Sequence, residues 1–210
     1  MKIALIGATG TIGQRILKEA LDRGHVVTAI VRDASRLGER HGNLRTAIGN
    51  ASDADSIATA VAGNEVVISA IGPAHGSEQT LVDTARTLVD GVSRSGVRRL
   101  LVVGGAGSLE VAPGVQLVDT PQFPEAWKPI ALAHRDAMNV YLASDLDWTY
   151  FSPAALIEPG TRTGAYRTGT IALVADAEGN SRISAEDYAA AMIDEAESGK
   201  HIRSRLTAAY

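Results

Sequence analysis

At 210 residues, 45% of them hydrophobic, the chain is long enough to bury one good core and is expected to form a single domain over residues 1–210. Its 20 lysines and arginines against 24 aspartates and glutamates leave a net charge of −4 with no basic run, which argues against nucleic acid as a main partner. Zero cysteines exclude disulfides, thiolate catalysis and cysteine-ligated metal, and no apolar run approaches the roughly 18 residues of a membrane span, so a soluble, cytoplasmic protein without a signal peptide is expected.

The first 36 residues organise the rest. Lys2–Ile6 is a short apolar run of the kind that forms a fully buried strand. Gly7-Ala8-Thr9-Gly10-Thr11-Ile12-Gly13 follows at once, then helical spacing of Ile12, Ile16, Leu17, Ala20 and Leu21, then a second β-rich run, His25–Val31. In such a strand–helix–strand unit one glycine permits a tight turn, one lets the backbone approach a pyrophosphate, and one lets the helix pack against the strand. Phosphates then sit at the helix N-terminus, where free N–H groups and the helix dipole favour negative charge. The position after the second strand, where an acid usually takes the ribose 2′-hydroxyl of NAD, carries Arg32, with Asp33 next and Arg36 one helical turn on. An arginine there can pair with a 2′-phosphate through a bidentate fork, so NADP is favoured over NAD; a solvated strand-end arginine is the other reading.

Further along, Ala34–Arg40 reads as a short helix and Arg45–Ile48 as a third strand. After a turn at Gly49–Asp53, Ser52 with Asp55 three residues on resembles a capping box for a helix to about Val61. Glu65–Ile71 is a buried fourth strand ending at Gly72-Pro73, Gln79–Ser95 a helix of period 3.6, and Arg99–Val103 a fifth strand broken by Gly104-Gly105-Ala106-Gly107. Glu110–Pro129, with four prolines, reads as a loop with one turn of helix. A helix over Ile130–Ser144 and a sixth strand, Trp148–Ser152, follow; Ala154–Gly169 is a glycine- and threonine-rich excursion, and Thr170–Val174 another strand. Ser184 caps a last helix, Ala185–Glu197, before a closing strand over Ile202–Ala208. Alternating strands and helices predict an α/β fold with a doubly wound parallel sheet, its cofactor half at residues 1–108 and a loop-rich substrate half at 109–210. A nicotinamide would lie over Ser69-Ala70-Ile71-Gly72, Gly104–Ser108 and Phe151-Ser152-Pro153, whose small residues permit close approach; ordinary loop-forming glycines are the alternative.

The opening GATGTIG, the Arg32 terminus of strand two, SAIG at strand four and LDWTYFSPA at strand six resemble the atypical short-chain dehydrogenase/reductases. PGTRTGAYRTG at Pro159–Gly169 and ISAEDYAAAMIDEAE at Ile183–Glu197 resemble its NmrA-like and NADH–flavin reductase branch, itself similar to biliverdin reductase B. The resemblance covers essentially the whole chain. It implies a Rossmann-fold NAD(P)H-dependent reductase whose acceptors are flavins or quinone-like compounds. By position it implies that Gly7, Thr9, Gly10, Thr11 and Ile12 hold the pyrophosphate, Arg32 the 2′-phosphate, and that Asn50 and Ala51 flank the adenine. Gly13 and Arg36 complete that cofactor set, with Ala70, Ile71, Gly72, Gly104, Ser152 and Pro153 toward the nicotinamide.

Ordinary members of that superfamily use a tyrosine with a lysine four residues later. Here Tyr141, Tyr150, Tyr166 and Tyr188 are followed at that spacing by Asp145, Ala154, Thr170 and Met192, and Ala131 and Arg135 align with the pair. Carbonyl–alcohol interconversion needs a positioned acid, whereas a flavin or quinone delocalises the charge of an accepted hydride and takes its proton from solvent. The missing pair therefore fits the flavin-reductase reading. His134 as a proton relay, Ser108, and Arg135 as an anion stabiliser are the candidate catalytic residues, each with a structural alternative. Tyr166 and Arg167 are candidates to line an acceptor pocket, and Trp127 to stack on the acceptor or to anchor packing. Histidines 25, 41, 75, 134 and 201 share no metal spacing, and no metal is expected. Two other readings stand beside the reductase: a non-catalytic NAD(P)-sensing regulator, and a reductase or epimerase of a specific small metabolite. The exposed faces of the helices at Gln79–Ser95 and Ile130–Ser144 are either homo-oligomer interfaces or plain surface.

Overall fold

Each early strand is apolar on both sides because both sides are covered. In β1 (Lys2–Ile6), Ile3 and Leu5 pack toward α1 (Thr11–Asp22) and α5 (Ala185–Ser198). Ala4 and Ile6 pack the other way, toward α2 (Ala54–Val61), α3 (Thr80–Ser95) and α4 (Lys128–Leu142). The remaining strands are β2 (Val26–Val31), β3 (Leu44–Ile48), β4 (Val66–Ser69), β5 (Arg99–Val103), β6 (Glu110–Ala112), β7 (Val115–Gln116), β8 (Asp147–Ser152), β9 (Leu156–Glu158), β10 (Arg167–Gly169), β11 (Arg182–Ser184) and β12 (Ser204–Ala209). The structure, a computed structural model, describes residues 1–38, 40–73 and 76–210.

Among those residues an eight-stranded sheet runs β10-β12-β8-β5-β4-β1-β2-β3. Its pairs are parallel except β10 against β12. This is the doubly wound Rossmann sheet. Its strand order reverses between β1 and β4, where a crevice opens outside the carboxyl ends of the strands. No helix among the described residues is long and apolar enough to cross a membrane.

The differences from the sequence expectations have local causes. The helix expected at 34–40 is a single 3₁₀ turn, Ala34–Arg36, with no buried residue to hold a longer one; Glu39 lies outside the described residues. Asp53, not Ser52, caps α2, its carboxylate accepting from the amides of Asp55 (3.0 Å) and Ser56 (3.3 Å). The proline-rich stretch holds a hairpin, β6–β7, and 3₁₀ turns at Leu117–Asp119 and Glu125–Trp127, and Pro129 begins α4 rather than ending the loop. The strand expected at 170–174 is displaced: residues 167–169 take the place beside β12, and Ala172 makes only an isolated bridge to Glu110.

The two C-terminal motifs hold each other. Asp187, fully buried at the start of α5, accepts from Thr163 N (2.9 Å), Thr163 Oγ1 (2.6 Å), Gly164 N (2.8 Å) and Tyr210 Oη (2.8 Å). Burial pushes its pKa up, but these donors outweigh it and keep the carboxyl below the usual range. Arg162 in the same loop forks onto Glu19 of α1 at 2.7 Å through both nitrogens.

Candidate functional site

The turn from β1 into α1 separates glycines that the fold needs from one that it does not. Gly7 has φ +86°, and a Cβ there would come within 2.6 Å of the Ala70 carbonyl oxygen. A Cβ on Gly13 would lie 2.0 Å from the Gly7 oxygen, so α1 starts where it does only because Gly13 is bare. Gly10, at φ −79°, would put its Cβ in ordinary contact, 3.5 Å from that oxygen. The empty space beside Gly10 faces the first turn of α1, which has no side-chain cap, whereas Asp53 caps α2 and Ser184 caps α5. Bare backbone before uncapped N–H groups fits a pyrophosphate.

Two cavities flank this cradle. One, about 380 Å³, lies among Thr9, Arg32, Asp33, Arg36, Asn50 and Ala51. Arg32 has no hydrogen-bond or ion-pair partner among the described residues. Asp33 is engaged with Ser35, whose hydroxyl (2.8 Å) and amide (2.9 Å) hold the carboxyl below its usual range. The other cavity, about 410 Å³, is walled by Leu117, Phe123, Trp127, Ile130, His134 and Ile157. Thr11, Ile12, Gly104 and Pro153 also line it, and Gly10, Ala70, Ile71 and Gly72 line both cavities, so a single extended ligand can lie across the two. A larger groove of about 720 Å³ runs outside α1, where Arg15–Glu186 and Arg162–Glu19 pair its charges internally.

Glycines 104, 105 and 107 serve packing more than ligand approach. Their added Cβ atoms would meet the Tyr150 ring at 2.3 Å, His134 Cβ at 2.8 Å and Ala131 Cβ at 2.8 Å, so the run lets α4 close onto the end of β5. That closeness sets His134 against the second cavity. Tyr150 Oη donates to the His134 carbonyl (2.9 Å) and accepts from Gly105 N (3.3 Å). Burial pushes the His134 pKa down to about 4, so the imidazole is neutral near pH 7, too weakly protonated to serve as a general acid.

Other sequence candidates sit elsewhere. Ser108 is buried beneath the cavity, donating to Met138 Sδ (3.8 Å) and accepting from Arg205 (3.0 Å). Arg135 turns away to Asp119 and Gln116, each at 3.4 Å. Ser152 lies fully buried behind Pro153, its Oγ without a partner. Tyr166 donates to Asp194 of α5, and Arg167 donates to the Ala175 carbonyl (2.7 Å), both outside the second cavity. Among the described residues no three histidines or acids gather to hold a metal; His75 lies outside them. Phe123, Leu117, Ile130 and Ile157 were missed by sequence reasoning. Only Phe123 carried a signal, an aromatic four residues before Trp127 in a proline-bounded stretch.

Residues 7–198 match a protein family described as NAD(P)H-binding. Three solved structures align with the whole chain. A candidate exported protein of Burkholderia pseudomallei is 55% identical, covering 100% of each chain with a TM-score of 0.92. A candidate epimerase of Bacteroides thetaiotaomicron is 42% identical over 100% of this chain and 96% of that one, with a TM-score of 0.92. A candidate NADH-flavin reductase of Streptococcus pneumoniae is 34% identical over 100% and 99%, with a TM-score of 0.85.

Proposed function

We infer that this chain, which belongs to the NAD(P)H-binding family, is a reductase that passes hydride from NADPH to a planar conjugated acceptor, a flavin or a quinone. The observation that carries this reading is the pair of cavities joined over Gly10, Ala70, Ile71 and Gly72, one bearing an unpartnered cation and the other walled by apolar and aromatic side chains. Arg32 supports NADPH over NADH, since it is free to fork onto a 2′-phosphate while Asp33 is held by Ser35. The Streptococcus relative, by its name, supports the acceptor class.

When bound, the reduced nicotinamide supplies a hydride, and an acceptor that takes this hydride with one proton from water is reduced by two electrons while the nicotinamide is oxidised. The chain's own part is to hold and to exclude. The bare Gly10 backbone and the first turn of α1 fix the phosphates, and Phe123 and Trp127 offer ring faces to a flat acceptor. Neutral His134 leaves the proton to solvent. An epimerase of a sugar-like substrate, the activity in the Bacteroides relative's name, would call for an acid or base at the reacting carbon, and no carboxylate, lysine or tyrosine lines the second cavity. We assign the protein to the cytoplasm, where a reduced nicotinamide pool is at hand.

The test offers riboflavin, FMN and a quinone separately with NADPH or NADH, following loss of the reduced-nicotinamide absorbance beside a cofactor-binding titration. Turnover with at least one acceptor, faster with NADPH, is expected. Cofactor binding without turnover would overturn the reductase in favour of a non-catalytic sensor.

A further inference from the structure

We propose that the acceptor is an uncharged ring system, held against the faces of Phe123 and Trp127, with neutral His134 donating one hydrogen bond to a ring carbonyl, and that anionic groups on an acceptor add nothing to its binding. The proposal rests on the reductase reading and narrows its substrate class.

The walls of the second cavity carry this. Among the described residues no charged side chain lines it, in contrast with Arg32 and Arg36 in the first. The two nearby guanidinium groups are engaged elsewhere, Arg135 with Asp119 and Gln116, and Arg205 with the Ser108 carbonyl (2.9 Å) and hydroxyl (3.0 Å). A phosphate, sulfonate or carboxylate placed here would lose water and find no cation, so such a group must stay outside in solvent, where it gains nothing. A flat neutral ring meets apolar side chains and two aromatic residues, with Trp127 at the rim, 52% exposed.

His134 is the polar exception. Its ring has no hydrogen-bond partner among the described residues, its carbonyl is fixed by Tyr150 at 2.9 Å, and Gly105 packs against its Cβ. A neutral imidazole offers one N–H donor, and burial keeps the ring neutral. As the acceptor gains a hydride, negative charge grows on its carbonyl oxygen, so a donor already in place stabilises that state more than the ground state without giving up its proton.

The experiment uses the full chain with oxidised NADP, which blocks turnover, and reads acceptor binding by quenching of tryptophan fluorescence. The probes are riboflavin, FMN, a neutral naphthoquinone and its sulfonate. Affinities for riboflavin and FMN within about threefold, and a sulfonate no tighter than its parent quinone, are expected. Trp127→Phe should remove most of the quench, since Trp148 is buried elsewhere. In turnover with NADPH, His134→Phe should lower kcat by about tenfold at unchanged melting temperature, and His134→Gln, which keeps an N–H donor, should restore most of it. FMN binding more than about tenfold tighter than riboflavin, or His134→Gln failing as badly as His134→Phe in a folded protein, would overturn the proposal. Acceptor binding with no turnover would break the reductase reading and leave this one standing. Turnover with a strong preference for anionic acceptors would do the reverse.

Discussion

The cavity beside Arg32 and the cavity beneath Trp127 share Gly10 and the Ala70, Ile71 and Gly72 backbone, yet their walls have opposite chemistry. The first presents arginines, an asparagine and open backbone amides, groups that recognise a ligand by charge and by donor direction. The second presents aliphatic and aromatic side chains with one neutral imidazole, and recognises by shape. The difference suggests a division of labour. Directional binding at the far end of the cofactor holds its reactive ring in register, so the reacting end needs only to be flat, dry and close.

The sharpest way to break this picture is at the shared floor. Gly13→Ala drives a Cβ to 2.0 Å from the Gly7 oxygen, and should cost about 3 kcal/mol or more, read by denaturant unfolding. Gly10→Ala, with its Cβ in ordinary contact, should leave unfolding unchanged and weaken NADPH by about tenfold or more, because the added methyl occupies the space of the phosphates. Equal stability loss in both variants would mean that Gly10, too, serves only the turn.

That pair shows what was legible beforehand. The glycine pattern announced the cradle because turn, close approach and helix packing each demand a bare Cα, but only coordinates assign which glycine serves which demand. The parallel sheet was readable from apolar runs such as EVVISAI, buried on both faces. The acceptor cavity was not, since Leu117, Phe123 and Ile130 come together through a hairpin, two 3₁₀ turns and the start of α4, none of which has a period to detect. Ser108 and Arg135 misled for the same reason: one residue of rotation on a 3₁₀ turn or a helix decides between cavity and interior.

The apolar character of the second cavity should appear in pH dependence. His134 has a pKa of about 4 when folded and an ordinary value of 6.5. Between these the unfolded chain binds the extra proton, so stability is full above about pH 6.5 and falls as pH drops toward 4, by about 3 kcal/mol for this group. His134→Gln should flatten that part of a stability-versus-pH curve relative to the parent. Parallel curves would mean that His134 is solvated and the cavity wet.

The charged character of the first cavity should appear in cofactor choice. Arg32→Ala should weaken NADPH by about 10- to 100-fold and NADH by less than about threefold, measured by titration. An equal loss for both cofactors would detach Arg32 from the 2′-phosphate and return it to solvent.

Ionic strength tests both cavities in one protein without mutation. Arg32 and Arg36 sit at an exposed rim, where their attraction for a 2′-phosphate is screened as the Debye length shrinks from about 10 Å at 0.1 M salt toward about 3 Å at 1 M. Raising salt across that range should weaken NADPH about three- to fivefold and NADH less than about twofold, the difference between them being the screened 2′-phosphate contact. The KM for riboflavin should stay level, or fall slightly as salt strengthens apolar burial, because no charge lines the cavity that receives it. A riboflavin KM that rose in step with the NADPH dissociation constant would mean that acceptor and cofactor meet the same charges, and the division between the two cavities would be lost.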